Sequence, residues 1–284
     1  MKSRVQIVVD HDLHDVHSRV SFFTYVRAIR SWKSFSVAYG RALAFSGYEN
    51  LTFGRAWIVL NPLLQAVIYG FIFGWVLNTS RGVPYFIAHL LIGIFFFGFF
   101  STAATEATTA LRKSRGMIES FAINRAAIVL SLRLAQAVDN LPVVILALFL
   151  GYLTSGFNGL GLTFLLLPLV ALSYELFLTG VAFFFASWGE QFPDMKIFVK
   201  TITRIMFYLS GIFFSVEVVA PNSWISSMMS LNPVYQYLTM LRELVIFGQW
   251  PSTGSILLVL SWSFLFPFLA LVYFWANEAR YGRN

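Results

Sequence analysis

The 284-residue chain contains no cysteine. That excludes disulfides and any metal or redox centre built on thiolates. It is also short of charge. Only 12% of its residues are Asp, Glu, Lys or Arg, where a soluble domain carries about 25%. Acids are the scarcer sign, 13 against 20 basic residues. Nucleotide-binding and hydrolase signatures of the GxxxxGK[ST], HExxH and GxSxG types are missing, so neither ATP hydrolysis nor a hydrolase centre can be assigned to this chain. Blocks of about ten alternating apolar and polar residues are missing too, which argues against a membrane β-barrel.

What is abundant is apolar surface. Hydrophobic residues make up 58% of the chain and aromatics 18%, with 31 Phe, and the mean hydropathy is +0.71. A water-soluble core of this size cannot hide that much, and an integral membrane protein is the class that fits. The first apolar run begins near Ala56, too late for the hydrophobic stretch of a cleaved leader.

Six runs approach the roughly 20 apolar residues needed to cross the hydrocarbon: about 56–77, 83–105, 129–153, 160–188, 202–219 and 256–276. Lipid offers no partner to backbone amides, so these runs are expected to be helices. Basic residues set the orientation. They crowd the N-terminal region (Lys2, Arg4, Arg19, Arg27, Arg30, Lys33, Arg41, Arg55), the 2–3 loop (Arg112, Lys113, Arg115, Arg125), the approach to the fifth run (Lys196, Lys200, Arg204) and the tail (Arg280, Arg283). The alternate loops carry only Arg81 and Arg242. Both termini are therefore expected in the cytoplasm. The net charge of +7 is accounted for by topology and anionic lipid, with no need of nucleic acid.

The composition of residues 1–20 predicts a mobile polar arm. Within it His11, His14 and His17 recur every three residues among Asp10, Asp12 and Asp15. The spacing would suit a metal on a helix face, but the segment offers no second shell, and a solvated tail with no metal is expected. From Ser21 to Trp32, Phe22, Tyr25, Val26, Ile29 and Trp32 share one helical face, with Arg27 and Arg30 off it and Lys33 near its edge. This predicts an amphipathic helix in the membrane interface, within about 21–45.

Ionisable residues inside the runs are costly and so informative. They are His89, Glu106, Arg133, Asp139 and Glu175. The favoured reading pairs the acids with Arg133 or with polar groups on neighbouring helices; a proton-coupled carrier using Asp139 and Glu175 is the alternative. GFIFG (Gly70 to Gly74) permits close helix approach. Asn61-Pro62 sets how the first span leaves the interface. Residues 217–254 read as two short helical pieces broken at Asn232-Pro233, neither long enough to span, dipping into the outer half of the membrane and returning.

These residues resemble a family. Phe53-Gly54-x-x-Trp57-x-x-Leu60-x-Pro62 opens the first span, a basic segment links spans two and three, and Leu231-Asn232-Pro233 with Arg242 precedes the last span. Together they resemble the membrane subunits of ABC-2 type exporters, in the polysaccharide and teichoic-acid branch (Wzm/TarG-like permeases), from about residue 22 onward. Where that family often has a basic-aromatic-proline run before span three, this chain has Arg125 to Arg133 without proline.

The resemblance implies an all-α polytopic membrane protein with six transmembrane helices, an N-terminal interface helix, a short cytoplasmic coupling helix and re-entrant external helices. It implies a homodimer in a bacterial inner membrane, docked on two nucleotide-binding ATPase subunits that hold ATP and Mg, and moving a lipid-linked glycan. This chain would bind no cofactor itself. Docking on the ATPase falls to Arg115, Gly116, Met117, Ile118, Glu119, Phe121 and Arg125. Channel lining falls to Trp57, Tyr69, Phe73, Trp75, Phe207, Tyr208, Phe213 and Phe214, although many aromatics in such a chain face lipid. An external gate falls to Trp224, Asn232, Pro233 and Arg242. The nearest rival is an ABC-2 permease for drugs or lipids. A polyprenyl-phosphate sugar transferase would need clustered acids, and those here are scattered.

Overall fold

In a computed structural model of the protein, the described residues are 21–44, 46–48, 52–76, 83–214, 224–278 and 281. The His11, His14 and His17 series lies outside them, and among the described residues no group of three or more His, Cys, Asp or Glu could hold a metal.

The described residues are helical throughout. In chain order the helices are α1 (Phe22–Ser31), α2 (Lys33–Leu43), α3 (Trp57–Tyr69, widening into a π-turn over Gly70–Val76), α4 (Phe86–Lys113), α5 (Arg115–Phe121) and α6 (Arg125–Thr154). They continue as α7 (Leu167–Gln191), α8 (Met195–Leu209), α9 (Trp224–Leu231), α10 (Pro233–Arg242, ending in a π-turn over Glu243–Phe247) and α11 (Thr253–Asn277).

Five helical stretches are long and apolar enough to cross a membrane: Gly54–Val76, Phe86–Lys113, Arg125–Thr154, Leu162–Gln191 and Thr253–Asn277. The sixth expected run, 202–219, takes a different course. Its helix starts after Pro193-Asp194, runs over 15 residues as α8, and ends before a bend in which Gly211 adopts φ +62. At ~1.5 Å per residue it covers about 22 Å, short of the ~30 Å hydrocarbon. The basic residues Lys196, Lys200 and Arg204 marked the border of the expected span, but they recur every fourth residue and simply form the exposed stripe of this helix. Residues 215–219 lie outside the described set.

α4 is the axis of the bundle, packed by α6, α7, α8 and α10, while α7 also packs along α11. Phe95, Phe96, Phe177, Tyr174 and Tyr237 are among its largest fully buried side chains. Two crossings of the long helices depend on glycine. A Cβ at Gly189 would meet the Thr108 carbonyl oxygen at 2.0 Å, and one at Gly180 would meet the Pro267 Cα at 2.7 Å. GFIFG behaves differently. A Cβ at Gly70 or Gly74 would still stand 3.9 Å from the nearest side chain on α4, so within the chain the motif makes no close crossing.

The expected amphipathic segment divides at Trp32 into α1 and α2. Tyr25 is buried, with Phe22, Ile29 and Trp32 partly so, whereas Arg27, Arg30 and Lys33 are exposed. α2 lies along α6 through small residues. Ser36 Oγ donates to the Ala127 carbonyl at 3.2 Å, and a Cβ on Gly40 would stand 2.9 Å from the Ser131 carbonyl.

Candidate functional site

The segment between the second and third spans holds a short helix, α5, and its ends are encoded locally. α4 stops at Ser114, whose N–H reaches back to the Ala110 carbonyl. α5 closes on Ala122 at φ +48. Asn124 then caps α6, its side chain accepting from the Ala126 N–H at 2.8 Å. The chain thus makes about two turns of helix between two long rods.

The seven residues assigned to this segment divide into two groups. Met117 and Ile118 turn inward and pack on a cluster that includes Leu111, Ile123 and Phe274. Arg125 also turns inward, toward Glu278 at 3.7 Å and the Tyr281 carbonyl at 3.4 Å. Arg115, Gly116, Glu119 and Phe121 face out. Arg115 donates to Glu119 at 2.9 Å, and Phe121 is 71% exposed. An exposed phenyl ring at the tip of a helix held by internal anchors is the feature on this face that solvation alone does not explain.

The anchors extend to other helices. Arg112 donates to the Gly189 and Glu190 carbonyls at the end of α7. The Tyr281 hydroxyl donates to Ser187 Oγ at 2.6 Å. Burial raises the Glu278 carboxyl above its usual range, opposed by the Tyr25 hydroxyl and by Arg125. Burial, then the Glu278 charge, raises Tyr25 in turn. So α1, the α5–α6 turn and the ends of α7 and α11 are tied together around α5. Tyr25 sits far in the chain from Glu278 and Tyr281, and no periodicity in the sequence marks the three as one cluster.

Five of the eight aromatic channel candidates come together. Tyr69 lies 5.5 Å from both Phe207 and Phe213. Phe73 stacks on Phe213 at 4.2 Å, and Tyr208 on Phe213 at 5.7 Å. This cluster joins α3, α8 and the bend after α8, with Phe97 of α4 behind it at 5.2 Å from Phe207. Phe214 is partly buried against the core. Trp75 is 75% exposed and stacks only on Phe71 within its own helix. Trp57 stands at the opposite end of α3, beside Phe53.

The break at Asn232-Pro233 is a helix start. Asn232 accepts from the Val234 N–H at 3.0 Å and donates to Ser210 Oγ at 3.1 Å, with Pro233 in the first turn. α10 then inserts into the bundle, where Tyr237 donates to the Ser173 carbonyl and shares a 2.6 Å bond with Ser263. Arg242 lies buried inside the protein. Its guanidinium donates to the His89 carbonyl at 3.2 Å and sits against Gly93, holding the end of α10 to the start of α4. Trp224 is 73% exposed.

Within the membrane-spanning part, Glu175 pairs with Arg133 at 2.5 Å. Arg133 also donates to Gln136 Oε1, and Gln136 Nε2 donates to Glu106 at 2.7 Å. A single chain of polar groups thus links α7, α6 and α4. Glu175 is held by a cation, the arrangement expected of a structural pair and not of a free proton acceptor.

The ABC-2 type transporter family matches residues 42–246. The chain belongs to this family. Among its relatives, an O-antigen export system permease protein, RfbA, of Klebsiella pneumoniae is 27% identical over 206 residues, covering 71% of this chain and 76% of that protein. The polysialic acid transport protein KpsM of Escherichia coli is 22% identical over 195 residues, 69% of this chain and 74% of its own. An RfbA of Myxococcus xanthus is 23% identical over 194 residues, 68% and 72% of the two chains. As an ABC-2 membrane component, the chain has in α5 a short helix between its second and third spans and in α8–α10 a broken region before the last.

Proposed function

We propose that this chain is the permease subunit of an exporter that carries a lipid-linked polysaccharide across the bacterial inner membrane, driven by ATP hydrolysis on separate subunits. The observation that carries the reading is the family membership, joined to relatives that serve O-antigen export and polysialic acid transport. In this reading both termini and α5 face the cytoplasm, α1 lies in the interface, and the chain crosses the membrane six times. A second copy completes the channel.

The exposed face of α5 docks on the ATPase. Phe121 enters a groove there, and the Arg115–Glu119 pair sets register. Met117, Ile118 and Arg125 act from behind, passing a displacement of α5 to α6, α7 and α11. The Tyr69–Phe73–Phe207–Tyr208–Phe213 cluster lines the conduit. Sugar rings have apolar CH faces, so aromatic platforms let a polymer slide without a tight grip. α9 and the capped break at Asn232-Pro233 form the outer end, with Trp224 at its surface and Arg242 as its internal anchor.

Phe121→Ala is expected to leave the permease monodisperse while lowering recovery of the ATPase subunit in co-purification at least tenfold, the scale of a lost interface hot spot of about 1.4 kcal/mol or more. Unchanged recovery with unchanged transport-linked ATP hydrolysis would overturn the docking assignment. Depletion of the chain is expected to trap polymer inside the cell; continued surface display would refute the export reading.

A further inference from the structure

A cavity of about 630 Å³ opens beside the end of the bundle that carries α5, between α2, α3, α4 and α6. Its volume falls in the ~300–1,000 Å³ range of small-molecule sites. Its walls are unlike the rest of the spans. α3 contributes Trp57 and Asn61, four residues apart on one helical face; α4 contributes Glu106; α6 contributes Gln136 and Asp139; and Tyr48 closes the side toward α2. Polar groups at these depths are costly unless they have polar company.

One acceptor on its wall, Glu106, is oriented from behind. Arg133 takes up the Gln136 side-chain oxygen, which leaves the amide nitrogen to face Glu106. Glu175 fixes Arg133 in turn. The carboxylate of Glu106 is therefore held by a chain of three bonds running through the protein, and that chain ends at the cavity wall. Burial, and then the charges of Asp139 and Glu106, raises the Tyr48 phenol, so the ring and both carboxylates share one electrostatic environment.

We infer that this cavity is a saccharide-binding site, taking one to a few rings of an uncharged or amine-bearing glycan and rejecting a polyanionic one. The inference rests on the export reading above and gives its substrate class. Sugar hydroxyls donate to fixed carboxylate and amide oxygens, and the indole of Trp57 offers a face to the ring CH groups. A hydrocarbon tail would strip water from these polar groups and leave them unpaired. The wall carries two carboxylates, Glu106 and Asp139, against one ammonium, Lys113, and this net negative charge disfavours phosphate and carboxylate.

The test uses the full-length chain in nanodiscs, with maltotriose as the neutral probe and a sialic acid trimer as the anionic one, read by saturation-transfer NMR. Maltotriose is expected to receive saturation and the sialic acid trimer to receive none. Trp57→Ala should abolish the maltotriose signal. Glu106→Gln keeps an oxygen to accept from Gln136, so it preserves the fold; it should weaken maltotriose about tenfold or more, the scale of one lost charged hydrogen bond, and admit the sialic acid trimer. Absence of maltotriose transfer in the unmodified chain, equal binding of both probes, or full signal in both variants would each overturn the assignment. The comparison of the two probes on the unmodified chain decides the matter even where a variant misfolds. The measurement needs no ATPase subunit, so failed docking or continued surface display would count against the export reading alone.

Discussion

The first two spans are similarly apolar helices, but they live in opposite surroundings. In the second, α4, 78% of the most apolar stretch is buried within the chain; in the first, only 11% is. α4 is surrounded by α6, α7, α8 and α10. The first span touches α4 and α6 and presents Leu64, Val67, Ile68, Phe71 and Trp75 outward. Apolar character selects both as spans but does not choose their neighbours, because lipid and a protein interior are equally good solvents for Leu and Phe. What separates them is small residues and polar links. α4 meets α7 where Gly189 has no side chain, and it is tied to α6 through Glu106 and Gln136.

That contrast can be tested on its glycines first, where the largest effect is expected. Gly189→Ala drives a methyl group into the Thr108 backbone, and it should destabilise the bundle by about 3 kcal/mol or more, beyond ordinary overpacking. Gly74→Ala on the first span meets only open contact and should be neutral within about 0.5 kcal/mol. Thermal unfolding in nanodiscs measures both; equal losses would erase the distinction between the two spans.

Arg133→Ala comes next. It strands Glu175 and Gln136, and since Glu175 is 30% exposed the usual cost of breaking a buried pair is discounted to about 2 kcal/mol. Replacing both partners, Arg133→Met with Glu175→Met, should recover part of the loss. If the double variant is the less stable one, the pair is stabilising in its own right.

The smallest effect concerns the ends of the helices. Burial raises the Glu278 carboxyl in the folded protein, so the folded state binds its proton more tightly than the unfolded chain does. That contribution is fully present below the unfolded pKa and is lost as pH rises through the folded one. The unfolding temperature should therefore fall slightly across the weakly acidic range, and Glu278→Gln should flatten the slope. A slope that persists in the variant would assign it to another group.

Much of the architecture was legible beforehand, for identifiable reasons. Five spans follow from length and apolarity. α5 follows from a charged break between two such runs, and α10 from Asn232-Pro233, where a capping side chain and a proline both start a helix. α8 begins earlier than the apolar run near 202 suggested, because Lys196, Lys200 and Arg204, spaced by four, lie on one side of a helix. The Glu106–Gln136–Arg133–Glu175 chain was half visible. Its charged members stand out in apolar runs, while Gln136, the link between them, is a single neutral residue on α6. Trp57 and Asn61 share a face by their spacing, but only their meeting with Glu106 and Tyr48 makes a cavity.

By itself the sequence determined that this is a helical membrane protein, where most of its spans run, and that a short basic segment divides the second span from the third. Those properties depend on desolvation and local capping, which act over a few residues at a time. Only the tertiary structure decided that Met117, Ile118 and Arg125 anchor α5 while Phe121 is left outside, that Arg242 is internal, and that α4 is buried while α3 is bare. Those outcomes depend on which helices meet, and on contacts such as Gly189 with Thr108 or Arg125 with Glu278 between residues far apart in the chain.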